Sequence, residues 1–126
     1  MNANEGRWPT ELRLTDEGRL LTVRFENGQS FDLAAEYLRV MSPSAEVQGH
    51  SERERKTVGG KRKVKIRAID PVGTYAVRLS FDDSHSTGIF TWVYLYELGE
   101  RHAEKWPAYL TDLDKKGLDR DRPGEK

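Results

Sequence analysis

Hydrophobic and polar positions alternate along the first third of the chain. Thr10–Leu14 and Leu20–Phe25 read as two strands, with Asp16-Glu17-Gly18 as the turn between them. Leu21, Val23 and Phe25 fall on one face by period-two spacing, and Phe31 and Leu33 share a face of the next segment. Asn27-Gly28 lies between these two sets. A two-residue loop would pair Phe25 with Ser30 and put the apolar sets on opposite faces. A three-residue loop, Glu26-Asn27-Gly28, pairs Val23 with Phe31 and Leu21 with Leu33. The second register is the expected one, with Gly28 in the left-handed region.

Asp32 is then expected to cap a short helix that carries Glu36 in its first turn. Tyr37, Leu38 and Met41 form its apolar stripe and Pro43 stops it. Ser51–Lys63 has no apolar period, contains Gly59-Gly60 and reads as a mobile loop. Val64–Ile69 and Thr74–Phe81 read as strands joined by Asp70-Pro71-Val72-Gly73, with Tyr75, Val77, Leu79 and Phe81 on one face. After a loop over Asp82–Ser86 come a short strand, Thr87–Phe90, and a helix from about Trp92, with Trp92, Leu95, Tyr96 and Gly99 along one side. A last helix is expected from Pro107 to Gly117, with Trp106, Leu110 and Leu113 on one stripe. The expected fold is a single α+β domain, a mostly antiparallel sheet with a few short packed helices. Residues 1–7 read as a flexible start, 8–118 as the domain and 119–126 as a disordered tail.

Composition narrows the function classes. The 126 residues carry 21 basic and 21 acidic side chains, so net charge is zero, which disfavours a whole-domain nucleic-acid or anionic-membrane binder. There is no cysteine, which removes disulfides, thiolate-held iron–sulfur clusters, cysteine zinc sites and a cysteine nucleophile. No apolar run approaches the roughly 20 residues of a membrane span, and the N-terminus lacks an apolar signal core. A cytoplasmic location is the expectation.

Asp82, Asp83 and His85 are the densest group of potential ligands or proton carriers; a polar turn between two strands with Asp side chains bonding their own backbone is the plainer reading. His50 could fold back against His85 to complete a three-ligand metal site with Asp82 or Asp83, although no helical spacing enforces it. His102, beside charged residues at a helix end, is assigned no function. Ser42 and Ser44 lack a nucleophile-elbow pattern, so Ser-Pro-Ser reads as a turn. Glu52–Lys65 holds seven basic residues against two acidic ones, without interleaved aromatics for base stacking or phosphate-loop spacing. It reads as a solvated loop.

Trp8-Pro9-Thr10-Glu11-Leu12, Ala35-Glu36-Tyr37-Leu38-Arg39-Val40, the run from Ser42 to His50, Pro71-Val72-Gly73-x-Tyr75-Ala76-Val77 and the run from Phe81 to Trp92 follow in order. Together they resemble the gamma-butyrobetaine hydroxylase-like N-terminal domain family, small and mostly bacterial proteins of unknown function. The likeness extends from about Trp8 to Gly117. In the hydroxylases, the resemblance implies, this domain precedes the oxygenase barrel, helps two subunits pair and holds a structural zinc through three cysteines and one histidine. The histidine matches His85, and the cysteine positions fall near Ser42, Ser44 and Val47. Two hydroxyls and an isopropyl group cannot replace thiolates, so no cofactor is expected here. A similar domain fused to iron–sulfur carrier ATPases suggests a docking role. The expected function is a non-catalytic accessory domain that binds a protein partner or itself, an oxygenase or such an ATPase being candidate partners. Tyr37, Arg39, Ser42, Ser44, Trp92 and Tyr94 are its candidate contacts, ordinary core being the alternative for the aromatics and the plainer reading of Trp92. The alternative is a metal- or small-ligand-binding domain using His50, His85, Asp82 and Asp83.

Overall fold

Two three-stranded antiparallel sheets result from the alternating segments. The computed structural model describes residues 8–43, 57–83, 85–86 and 88–121. Strands β1 (Pro9–Thr15), β2 (Leu20–Phe25) and β3 (Ser30–Ala34) form the first sheet in that order, with a 3-10 turn over Asp16–Gly18. Val23 lies opposite Phe31 and Leu21 opposite Leu33, the register expected for the three-residue loop. Phe25 N–H donates to Gln29 O at 2.9 Å across that loop, and Gly28 has φ 90°.

Strands β4 (Ile66–Val72), β5 (Ala76–Phe81) and β6 (Ile89–Thr91) form the second sheet. Asp70-Pro71 belongs to β4 rather than to the turn, with Pro71 opposite Val77, and Gly73–Tyr75 makes the connection instead. Proline is tolerated there because β4 is an edge strand, where a missing N–H need not break a ladder on both sides. Displaced into the turn, Tyr75 is 53% exposed and leaves the buried face to Val77, Leu79 and Phe81.

Helix α1 (Ala35–Val40) follows β3 directly. Asp32 does not cap it. The strand continues to Ala34, so Asp32 lies opposite Thr22 and accepts its hydroxyl at 2.6 Å. Helix α2 (Trp92–Glu100) is capped by the Thr91 hydroxyl, which accepts the Tyr94 N–H at 3.0 Å. It packs so closely on β3 that a Cβ at Gly99 would come within 2.3 Å of the Phe31 ring. Helix α3 (His102–Lys115) begins five residues before Pro107, which sits inside it. Packing explains the earlier start: the His102 and Trp106 rings contact Tyr37 edge-on at 4.6 and 6.0 Å. The buried side of α3 is Tyr109 and Leu113, while Leu110 is exposed. A single apolar cluster draws on both sheets and all three of these helices.

All six residues of α1 are buried, including the charged Glu36 and Arg39. Arg120 grips Glu36 with two hydrogen bonds of 2.6 and 2.7 Å, and its guanidinium lies 5.2 Å from the Trp106 ring centroid. Asp119 and Arg120 carbonyls accept the Gly60 and Arg62 N–H groups, and Arg62 pairs with Asp121. The first three residues of the segment read as a tail therefore hold defined places against α1 and residues 60–62. Residues 122–126, 1–7 and the 51–56 part of the expected loop lie outside the described residues.

Replacing Arg120 with alanine would leave the Glu36 carboxylate, 6% exposed, without its cation. The expected loss is about 2 kcal/mol or more in urea unfolding, with partial recovery in the Glu36→Gln, Arg120→Ala double variant.

Candidate functional site

The C-terminal end of α1 meets the β5–β6 connection, and most of the polar residues singled out in the sequence converge there. A basic residue in the last turn of a helix suits its negative end, and Arg39 occupies that place in α1. Its Nε–H donates to Asp83 Oδ2 at 2.8 Å. Lys61 Nζ donates to the same oxygen at 2.5 Å, and the His85 N–H donates to Asp83 Oδ1 at 3.1 Å. Burial by itself would raise the Asp83 pKa. The Lys61, His85 and Arg39 donors outweigh it and hold the carboxyl down at about 2.

Asp82 has a different task. Its Oδ1 accepts the Lys65 N–H at 3.1 Å and its own N–H donates to Lys65 O at 2.9 Å, which ties the β5–β6 turn to the entry of β4. Asp83 thus accepts a local backbone N–H, as the polar-turn reading expects, whereas Asp82 bonds backbone 17 positions away.

Ser42 and His85 are both buried, and Ser42 Oγ shares a 3.0 Å hydrogen bond with His85 Nε2. Gly88 is what allows this approach, since a Cβ there would come within 2.4 Å of Ser42 Oγ. A serine hydroxyl on an imidazole invites comparison with a nucleophile–base pair. Two observations argue against that use. Ser42 is 0% exposed and closely packed against Gly88, and Asp83 binds the His85 backbone N–H, Arg39 and Lys61.

The remaining sequence candidates are spread around this corner. Tyr37 is buried core, its hydroxyl donating to Leu98 O at 2.6 Å. Tyr94 is half-buried and donates to Met41 O at 2.5 Å, while the half-buried Trp92 donates its indole N–H to Thr74 O at 2.9 Å. Ser44 and His50 lie outside the described residues. Among those described, no group of three or more His, Asp or Glu side chains is placed to hold a metal ion. The basic stretch is partly neutralised within the fold: Lys61 faces Asp83, Arg62 faces Asp121 and Lys65 lies 3.6 Å from Glu17.

The Phe81–Trp92 stretch and the α1 exit, joined through Ser42 and His85, are among the segments that carried the family resemblance. The family description "Gamma-butyrobetaine hydroxylase-like, N-terminal" matches residues 12–96. The chain belongs to this family. Two solved relatives, both solution structures determined by NMR, share its fold closely. One is 46% identical, with a TM-score of 0.78 over 94% of this chain and 92% of its own. The other is 40% identical, with a TM-score of 0.81 over 100% of this chain and 94% of its own. A crystal structure from Acidithiobacillus ferrooxidans, described as a protein of unknown function in the DUF971 family, is 39% identical, with a TM-score of 0.62 over 74% of this chain and 93% of its own. No curated protein matches.

The zinc that the resemblance implies for the hydroxylases would fall at the Ser42–His85 corner, and the described donors of this chain do not fit that ion. Ser42 offers a hydroxyl where a thiolate is needed, and Asp83 is engaged by two cations. Lys61 and Arg120 were the residues missed as site-builders. The first looked like one charge in a solvated loop and the second like tail, and their partners lie 22 and 84 positions away.

The depressed Asp83 pKa has a definite sign. A carboxyl with a lower pKa folded than unfolded contributes stability above the unfolded value and loses it as pH falls through the folded one. Asp83 stabilisation should therefore be complete above pH 4 and fade between about 4 and 2. Asp83→Asn should cost about 1–3 kcal/mol at pH 7. The gap from wild type should close as urea unfolding is repeated down to pH 2.

Proposed function

We propose that this domain is a non-catalytic accessory module that binds a protein partner or a second copy of itself. The observation that supports this most is how the polar corner is used. Arg39, Lys61 and Asp83 bond one another, Asp82 bonds backbone, and the Ser42 hydroxyl is shut away beside His85. These groups position elements rather than present a nucleophile, base and orienter to a substrate. Family membership supports the same reading, because the family is defined by an N-terminal domain.

An oxygenase or an iron–sulfur carrier ATPase is the partner class proposed. Of the contact residues read from the sequence, Trp92 and Tyr94 keep partly exposed rings, whereas Tyr37 and Ser42 are interior. Trp92 opens α2, followed by the exposed Val93 and with its backbone N–H bonded to the carbonyl of the exposed Tyr75, so of the contact residues read from the sequence it is the proposed anchor. The alternative, a metal site using His50, His85, Asp82 and Asp83, has weaker support. The two aspartates are committed to other donors, and His50 lies outside the described residues. Among the described residues, no helix is long and apolar enough to cross a membrane.

Sedimentation of the isolated domain, and calorimetric titration against an oxygenase or carrier ATPase encoded beside it, should show a dimer or a stable complex. Trp92→Ala should weaken that association at least about 10-fold in protein that circular dichroism shows to be folded, with some loss of melting temperature because the half-buried ring and its bond to Thr74 O are removed. A monomer that binds neither protein would sink the reading. Elemental analysis of untagged protein should find metal well below one equivalent, and chelator should leave the melting temperature unchanged. Stoichiometric metal, lost on His85→Ala with the fold kept, would favour the alternative instead.

A further inference from the structure

Arg39 is 9% exposed, and its Nη1 is buried with no acceptor among the described residues. A buried guanidinium N–H left without a partner costs free energy, and in folded proteins such groups usually face a water or an ion. The charges around it point the same way. Arg39 and Lys61 are two cations sharing one carboxylate, Asp83, so among the described residues the corner carries an excess of one positive charge. Asp83 does not serve Nη1: its Oδ2 accepts Arg39 Nε and Lys61 Nζ, and its Oδ1 accepts the His85 N–H. The neighbouring acid on α1, Glu36, is held by Arg120.

We propose that this corner binds a small oxyanion, a carboxylate or a phosphate, as a second acceptor for Arg39. Arg39 Nη1 is the inner donor and Lys61 the outer one. A planar guanidinium presents its remaining N–H groups in a fixed fork that matches an oxyanion. The Lys61 side chain is 20% exposed and flexible, so the ligand enters by displacing it from Asp83. The resident carboxylate then works as a competitor: it keeps the two cations in place when the site is empty and limits affinity for the anion. The proposal does not depend on the domain having a protein partner, because a free anion and a partner's acidic group would engage the same atoms.

The test is an NMR titration of the isotope-labelled domain with inorganic phosphate and, separately, with acetate, at ionic strength fixed by sodium chloride. Saturable shifts are expected at the Arg39 Nε–H and at the Lys61 and His85 amides, with the stronger of the two anions identifying the ligand class. Lys61→Ala, a change at a partly exposed side chain, should weaken binding several-fold. Asp83→Asn removes the competing carboxylate and should tighten it. Shifts that are linear and unsaturated for both anions, or unaffected by Lys61→Ala, would overturn the proposal. So would weaker binding in a folded Asp83→Asn variant.

Discussion

A six-residue helix with no exposed face is the constraint on which the rest of this fold depends. Helices this short do not form on their own, because one or two turns cannot offset the cost of nucleation. Helix α1 exists because every side of it is packed: Leu38 and Val40 enter the apolar cluster, Tyr37 reaches Leu98 in α2, and the rings of α3 close over Tyr37. Its two charged residues could not be buried alone. Glu36 brings Arg120 back from the far end of the chain, and Arg39 brings Lys61 and the β5–β6 turn. Three distant segments are therefore tied to the two charged side chains of one helix, Arg120 and the β5–β6 turn as counter-ions and Lys61 through Asp83.

That requirement also explains how the corner of this family member can be built without thiolates. A zinc site fixes separate segments through strong, directional bonds and contributes folding free energy outright. Here the α1 exit and the β5–β6 turn are joined by the Ser42–His85 hydrogen bond, by the Arg39–Asp83–Lys61 cluster and by the close approach at Gly88. Each of these is modest. They act together, within a cluster that already draws both sheets and three helices into one apolar interior.

Features set by near neighbours were legible in the sequence. The β2–β3 register followed from two apolar sets three loop residues apart, because a one-residue slip would turn Phe31 and Leu33 to the wrong face. The Asp-rich turn and the start of α2 were readable for the same reason: the hydrogen bonds that define them run over two or three residues. Where local preference met tertiary packing, packing won. Asp32 is a good capping residue, yet β3 continues past it and pairs it with Thr22. Pro107 favours a helix start, yet the contacts of His102 and Trp106 with Tyr37 begin α3 a turn earlier.

The sequence by itself determined the α+β class, the family, the hairpin register and the candidacy of His85, Asp83, Arg39 and Ser42, because periodicity, turn chemistry and motif order are properties of nearby residues. Only the tertiary structure decided what those side chains do. The alternation of Ala35–Val40 does not say that Glu36 will be buried, and nothing local to Arg120 says that it will be the counter-ion. Electrostatic compensation in an interior acts through space, between groups 22, 44 and 84 positions apart, and the chain order carries no direct record of that proximity.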